Sequence, residues 1–276
     1  MLDCLLDALI DSLKILPYLL VTFLLLELIE HKLKYKKLFS KKRRFMPVVG
    51  GLLGALPQCG FSAMAANLFS SRVITIGTVM AIFLATSDEM LPIMWGEQVE
   101  PGLIFKIIGF KVLIGVAVGL IVDFAFRKRT VKSNEIEHLC KDEHCHCEKN
   151  GIFVSSLIHT LKTFLFVLAA NVLIGTLIYW VGEEQVANVL MGKNVFIYLL
   201  AALVGLIPNC AGSVIITELY LTGLISFGSM MAGLLTGSGI GWLLLVKNNK
   251  NRYENGFILA IIYMVGVLAG VLFDLF

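Results

Sequence analysis

Two short stretches carry the side chains best suited to chemistry, and each interrupts an apolar run. Residues 54–62 read "GALPQCGFS" and residues 205–213 read "GLIPNCAGS". Each offers an amide (Gln58 or Asn209), a thiol (Cys59 or Cys210) and a hydroxyl (Ser62 or Ser213). Pro and Gly are the poorest residues for a helix interior, so each stretch predicts a break with a new helix starting beyond it. The first N–H groups of that helix are free, and its positive dipole end favours electron-rich ligands. Helix N-termini favour the thiolate form of cysteine, which binds soft metals and metalloids. The plainer alternative is that Cys59 and Cys210 are small apolar residues packed where two helical arms meet.

A second pair of interruptions follows each of these. The stretch "FLATSDEMLP" places Ser87, Asp88, Glu89 and Pro92 inside an apolar run, and "LLTGSGIGW" places Ser238 in the corresponding position. Carboxylates at membrane depth are costly and mark ion or proton paths, so Asp88 and Glu89 are candidates for cation coordination or proton coupling. If the helix ends early, they sit instead among outer headgroups. Glu218, beyond the second Pro-x-Cys stretch, and Lys111, in run 102–126, are expected in the outer half of the membrane and are placed to pair across a pathway, or Lys111 reaches the interface by snorkelling. Asp123 and Asp274 are expected to finish their helices. The tract "HLCKDEHCHCEKN" gathers His138, Cys140, His144, Cys145, His146 and Cys147. Its density suits metal capture, but its spacing is not that of a closed structural zinc site.

The elements holding these residues follow from bulk composition. Of 276 residues, 58% are hydrophobic and 16% charged, with a mean hydropathy of +0.85. Soluble domains carry about 45–50% apolar and about 25% charged residues. Apolar runs at 4–29, 46–71, 73–95, 102–126, 152–181, 196–222, 223–246 and 256–276 each approach or exceed the ~20 residues that cross a bilayer. The fold class is therefore an all-α polytopic membrane protein. The opening stretch "MLDCLLDALIDSLK" has three Asp and no early Lys or Arg, so the first run reads as a membrane helix rather than a cleaved signal.

Sliding the chain on itself by 151 residues superposes the two opening stretches without a gap. The same shift puts Gly77, Met80, Ala81, Leu84 and Ser87 on Gly228, Met231, Ala232, Leu235 and Ser238, and Gly115, Gly119 and Asp123 on Gly266, Gly270 and Asp274. The chain is thus a duplicated unit: residues 1–126 form a first membrane repeat, 127–150 a polar His/Cys linker and 151–276 a second repeat. Loop 31–45 is crowded with Lys and Arg, whereas its counterpart 182–195 has one Lys and two Glu. Loop 96–101 has no positive charge, whereas 247–255 has three. A charge bias that swaps between halves predicts an inverted-topology internal repeat. Inversion needs an odd number of crossings per half. Each half is therefore expected to hold three full spans plus one re-entrant helical hairpin, about ten helices in all. The hairpins are 46–71 and 196–222, both termini are external, and the linker is cytoplasmic.

Inverted repeats with interrupted helices meeting at the midplane mark secondary transporters. Ser62, Ser213, Ser87, Ser238, Gln58, Asn209, Cys59 and Cys210 are the expected substrate-binding residues, with Asp88, Glu89 and Glu218 for coupling or cation contact. A soft ion would use the two cysteines; a hard ion would prefer Asp88, Glu89, Gln58, Asn209 and carbonyls. A small organic anion held by helix N-termini is the alternative substrate. An intramembrane enzyme is disfavoured, since there is no HExxH pattern and no nucleophile–base pair, and there is no GxxxxGK[ST] loop for ATP. No cofactor is expected. The partners expected are a metal or metalloid ion and the lipid bilayer, with a homo-oligomer allowed and nucleic acid not.

The stretches "LPQCGFSA", "FLATSDEMLPIM", "IPNCAGS" and "LLTGSGIGW", with the His/Cys linker, resemble the ten-helix heavy-metal exporters. These are variously labelled arsenic efflux proteins or manganese transporters and are distantly similar to arsenical permeases. The resemblance covers most of the chain and implies an exporter in the cytoplasmic (inner) membrane carrying manganese, arsenite or a similar ion. It departs from the arsenical permeases in one respect. Each tip here has a single Cys where those permeases tend to have a "CSC" run, which counts against a purely thiolate arsenic site.

Overall fold

The structure, a computed structural model, describes residues 45–56, 59–87, 90–126, 196–208 and 211–275, with isolated helical positions within 13–24 and 157–176. Among these residues every regular element is a helix. We number them α1 (Met46–Gly54), α2 (Cys59–Ser70), α3 (Ile76–Ala85), α4 (Met90–Gly96), α5 (Pro101–Ala125), α6 (Phe196–Gly205), α7 (Ala211–Leu221), α8 (Phe227–Thr236), α9 (Gly241–Asn248) and α10 (Arg252–Leu275). Each helix in the first set recurs 151 residues later with ends matching to within about a residue.

Local chemistry explains the boundaries. Thr75 caps α3 by accepting from the Thr78 amide, and Ser226 caps α8 by accepting from the Ser229 amide. Pro47 and Pro101 stand in the first turns of α1 and α5, where a missing N–H costs nothing. The turn after α2 puts Arg72 at φ 57°, and the equivalent turn after α7 puts Gly223 at φ 75°. The same left-handed corner is thus made once with glycine and once with a strained arginine.

Among the described residues, four stretches are long and apolar enough to cross a membrane: Ile76–Gly96, Pro101–Ala125, Phe227–Asn248 and Arg252–Leu275. The two that contain breaks are 75% and 83% buried, whereas the two continuous helices are each 28% buried. The broken spans therefore form the interior, and α5 and α10 shield them. Interrupted backbone at membrane depth is tolerated only in such a place.

Glycine lets the shields approach closely. A Cβ on Gly115 would stand 2.8 Å from the Ala81 carbonyl oxygen, and one on Gly119 would stand 2.9 Å from the Ala81 Cβ. In the other set, Gly266 faces the Ala232 carbonyl at 2.8 Å and Gly270 faces the Gly228 carbonyl at 2.7 Å. Small residues four apart on one helix face are how membrane helices gain contact, because lipid offers no hydrophobic drive. Both shields also tie down the start of a broken span. Asp123 accepts from the Gly77 amide at 2.8 Å and the Thr75 hydroxyl at 2.6 Å. Asp274 accepts from the Gly228 amide at 2.7 Å, from Tyr198 at 2.9 Å and from Ser226. The two aspartates do stand near the ends of their own helices, but their carboxylates cap α3 and α8.

Long-range contacts order the ends. Arg72, between α2 and α3, pairs with Glu254 in the first turn of α10 at 2.7 Å, and Asn248 at the end of α9 donates to Asn67 in α2 at 2.6 Å. Phe126 at the end of α5 meets Phe257 near the start of α10, while Phe110 meets Phe273 near the other end.

Candidate functional site

The breaks in the two interior spans gather the four candidate serines. α3 ends at Ala85 and α4 begins at Met90; α8 ends at Thr236 and α9 begins at Gly241. Ser62, in the first turn of α2, is fully buried against Gly241: a Cβ there would lie 2.7 Å from the Ser62 Cβ and 2.9 Å from its carbonyl oxygen. Ser213, in the first turn of α7, is buried with its Oγ 3.3 Å from where a Cβ on Gly237 would be. The arms that follow the two Pro-x-Cys stretches thus converge on the second break. Glycine at 237 and 241 makes room for them.

The remaining serines lie inside the breaks. Ser87 is buried and donates to the Ala85 carbonyl at 3.2 Å. Ser238 is 1% exposed, and its hydroxyl has no hydrogen-bond partner among the described residues. A buried hydroxyl in that state costs free energy unless something else uses it. Trp242, one residue into α9, donates from Nε1 to the Leu206 carbonyl at 2.9 Å. That bond fastens the end of α6 beside the same break and satisfies a carbonyl that α6 leaves open.

Lys111 is the residue whose role the sequence did not disclose. It is 1% exposed, and its ammonium donates to the Thr86 carbonyl and, at 2.7 Å, to the Leu234 carbonyl. The snorkelling expected as one alternative does not occur, because the side chain is enclosed between the two interior spans. The other alternative placed Lys111 opposite Glu218, but Glu218 lies on the exposed face of α7, outside this buried cluster. One signal could have found the lysine. The 151-residue shift puts Lys111 on Ile262, so the shielding helix does not need an ammonium for packing.

Several candidates fall outside the described residues: Gln58, Asn209, Cys210, Asp88, Glu89 and the whole linker with His138, Cys140, His144, Cys145, His146 and Cys147. Cys59 is the first residue of α2, and its side chain is likewise outside them. Among the described residues, no group of three or more His, Cys, Asp or Glu side chains is placed to hold a metal ion.

A family model described as "Putative, 10TM heavy-metal exporter" matches residues 1–187 and 154–276, which together span the chain. The chain belongs to this family. It is therefore a multi-pass membrane protein of a metal-efflux transporter family, which agrees with its apolar helices. No curated protein and no solved structure matches it.

Proposed function

We propose that the chain is a secondary active transporter that exports a metal or metalloid ion by alternating access at a site between the two broken spans. The observation that carries this reading is the convergence at the second break. Ser62 from one half, Ser213 from the other, the orphaned hydroxyl of Ser238 and the ammonium of Lys111 all meet buried, interrupted backbone. A protein that only had to span the bilayer would have no use for such a costly arrangement.

The inverted repeat is part of the proposal. Arg72 at the start of the first broken span pairs with Glu254, just past the end of the second. Equivalent spans then run in opposite directions, and the ring pairs between α5 and α10 support the same relation. The short pairs α1–α2 and α6–α7 fit re-entrant hairpins. Four short arms, two broken spans and two continuous spans make eight. Runs 4–29 and 152–181 would bring the total to the ten of the family description. The bias of the charged loops supports termini outside the inner membrane and a linker 127–150 in the cytoplasm.

The deciding experiment is metal flux in proteoliposomes, screened over arsenite, zinc and manganese. Replacing Cys59 and Cys210 together by serine should abolish transport of a soft ion and spare most transport of a hard one. Asp88→Asn with Glu89→Gln should do the reverse. Absence of flux for every ion, with protein shown to be folded and inserted, would overturn the exporter reading.

A further inference from the structure

Lys111 stands where a free cation would stand. The break after α3 leaves the Thr86 carbonyl outside regular helix, and α8 ends before Ser238, whose amide would otherwise have bonded the Leu234 carbonyl. Two breaks thus strand two carbonyl oxygens in the buried interior, each beside the negative end of a half-helix dipole. Such oxygens at half-helix ends are the groups that coordinate alkali cations in interrupted-helix proteins, and carbonyl rings do the same in channels. Both accept from the ammonium of Lys111, which is 1% exposed. We infer that the Thr86 and Leu234 carbonyls form a monovalent-cation site that Lys111 fills permanently as a tethered ion.

Two features favour this over a simple packing role for the lysine. Ile262 occupies the matched position on α10, where the same helix-on-helix contact is made through Gly266 and Gly270. The fold frame therefore works without an ammonium. The carbonyls also come from opposite halves of the chain, so a cation between them links the two broken spans at this point. A mobile ion in that position would make the protein depend on sodium or potassium, and the tethered one removes the dependence.

The test uses the full-length chain in detergent and measures unfolding midpoints in choline, sodium and potassium chloride at equal ionic strength. The wild-type protein should unfold at the same temperature in all three. Lys111→Met should unfold early in choline and regain about 5–10 °C in sodium or potassium, saturably with concentration. Lys111→Gln serves if the methionine variant yields no folded protein. A variant midpoint equal in all three salts overturns the inference, and so does a saturable sodium or potassium shift in the wild-type protein as large as that of the variant. Failure of both variants to fold in any of the salts overturns it as well, because no mobile cation would then replace the ammonium. The measurement involves no transported metal, so it succeeds or fails apart from the export reading.

Discussion

Replacing Ser238 by alanine should make the protein more stable and bind its substrate less well. The hydroxyl is 1% exposed and has no partner among the described residues. An unpaired buried hydroxyl costs about 1–3 kcal/mol, and the dispersion attraction of that single oxygen offsets only a fraction of the cost. Ser238 lies between α8 and α9, so helix propensity does not enter. The net gain should be about 1 kcal/mol, or roughly 2–4 °C in the unfolding midpoint for a chain of this size. Thermal unfolding of the detergent-solubilised protein, followed by tryptophan fluorescence, reads it directly. If the hydroxyl is a substrate ligand, titrating in the metal identified by flux should raise the variant's midpoint less than the wild-type's. A tenfold loss of affinity removes about 1.4 kcal/mol of that linkage. Ser87→Ala is the control, since the Ser87 hydroxyl already donates to the Ala85 carbonyl and its removal should give no gain. A lower midpoint for Ser238→Ala without metal would show that the hydroxyl is satisfied after all. An unchanged metal-dependent rise would remove it from the site.

Three further outcomes are expected. Gly119→Ala places a methyl 2.9 Å from the Ala81 Cβ while Gly109→Ala meets nothing within 4 Å, so the first should destabilise the protein by about 1–3 kcal/mol in thermal unfolding and the second should leave it level or more stable. Arg72→Gly trades a partly exposed ion pair, worth about 0.2–1 kcal/mol, for relief of a left-handed backbone at φ 57°. It should be near neutral in chemical denaturation, while Arg72→Ala, which keeps the strain and loses the pair, should be destabilised by about 1 kcal/mol. Asp123→Asn weakens two charge-assisted bonds that hold the start of α3 and should cost about 2 kcal/mol of stability; in flux assays it should leave the substrate concentration for half-maximal transport unchanged, because the carboxylate caps a helix rather than facing the breaks.

The breaks were legible because they rest on backbone chemistry. Pro57 and Pro208 disfavour a continuous helix through them, and the glycines around Ser238 weaken one, so their positions limited where α1, α6 and α8 could end. Pairing across the interior was not legible in the same way. Hydropathy reports that α5 enters lipid, but it does not say which face turns inward or how deep each residue sits. Lys111 in an apolar run therefore read equally well as a snorkelling side chain or as one half of an ion pair. Its carbonyl partners lie 25 and 123 residues away in sequence, and neither carbonyl has a side-chain signature. The roles of Asp123 and Asp274 were hidden for the same reason. Their recurrence after 151 residues marked them as structural, yet only the fold shows that each caps a helix other than its own.

What differs between the halves is as informative as what repeats. The matched positions that build the frame keep their chemistry: Gly77 with Gly228, Thr75 with Ser226, Gly115 with Gly266, Gly119 with Gly270 and Asp123 with Asp274. At the breaks the match fails in one direction. Asp88 falls on Gly239, Glu89 on Ile240 and Lys111 on Ile262, so this set of ionisable groups comes entirely from the first half. A duplicated unit under packing constraint alone should drift at its lipid-facing surface and hold steady at its buried centre, where each change meets close neighbours. Here one departure, Lys111 against Ile262, is at the buried centre. Ionisable groups supplied by one half, with glycine and isoleucine at the matched positions of the other, fit the proposed site between the broken spans, because they would give a bound ion one unequal set of ligands. The lysine belongs to that division. It comes from the first half and reaches the Leu234 carbonyl of the second, so one ammonium meets carbonyls of both broken spans although one half supplies it.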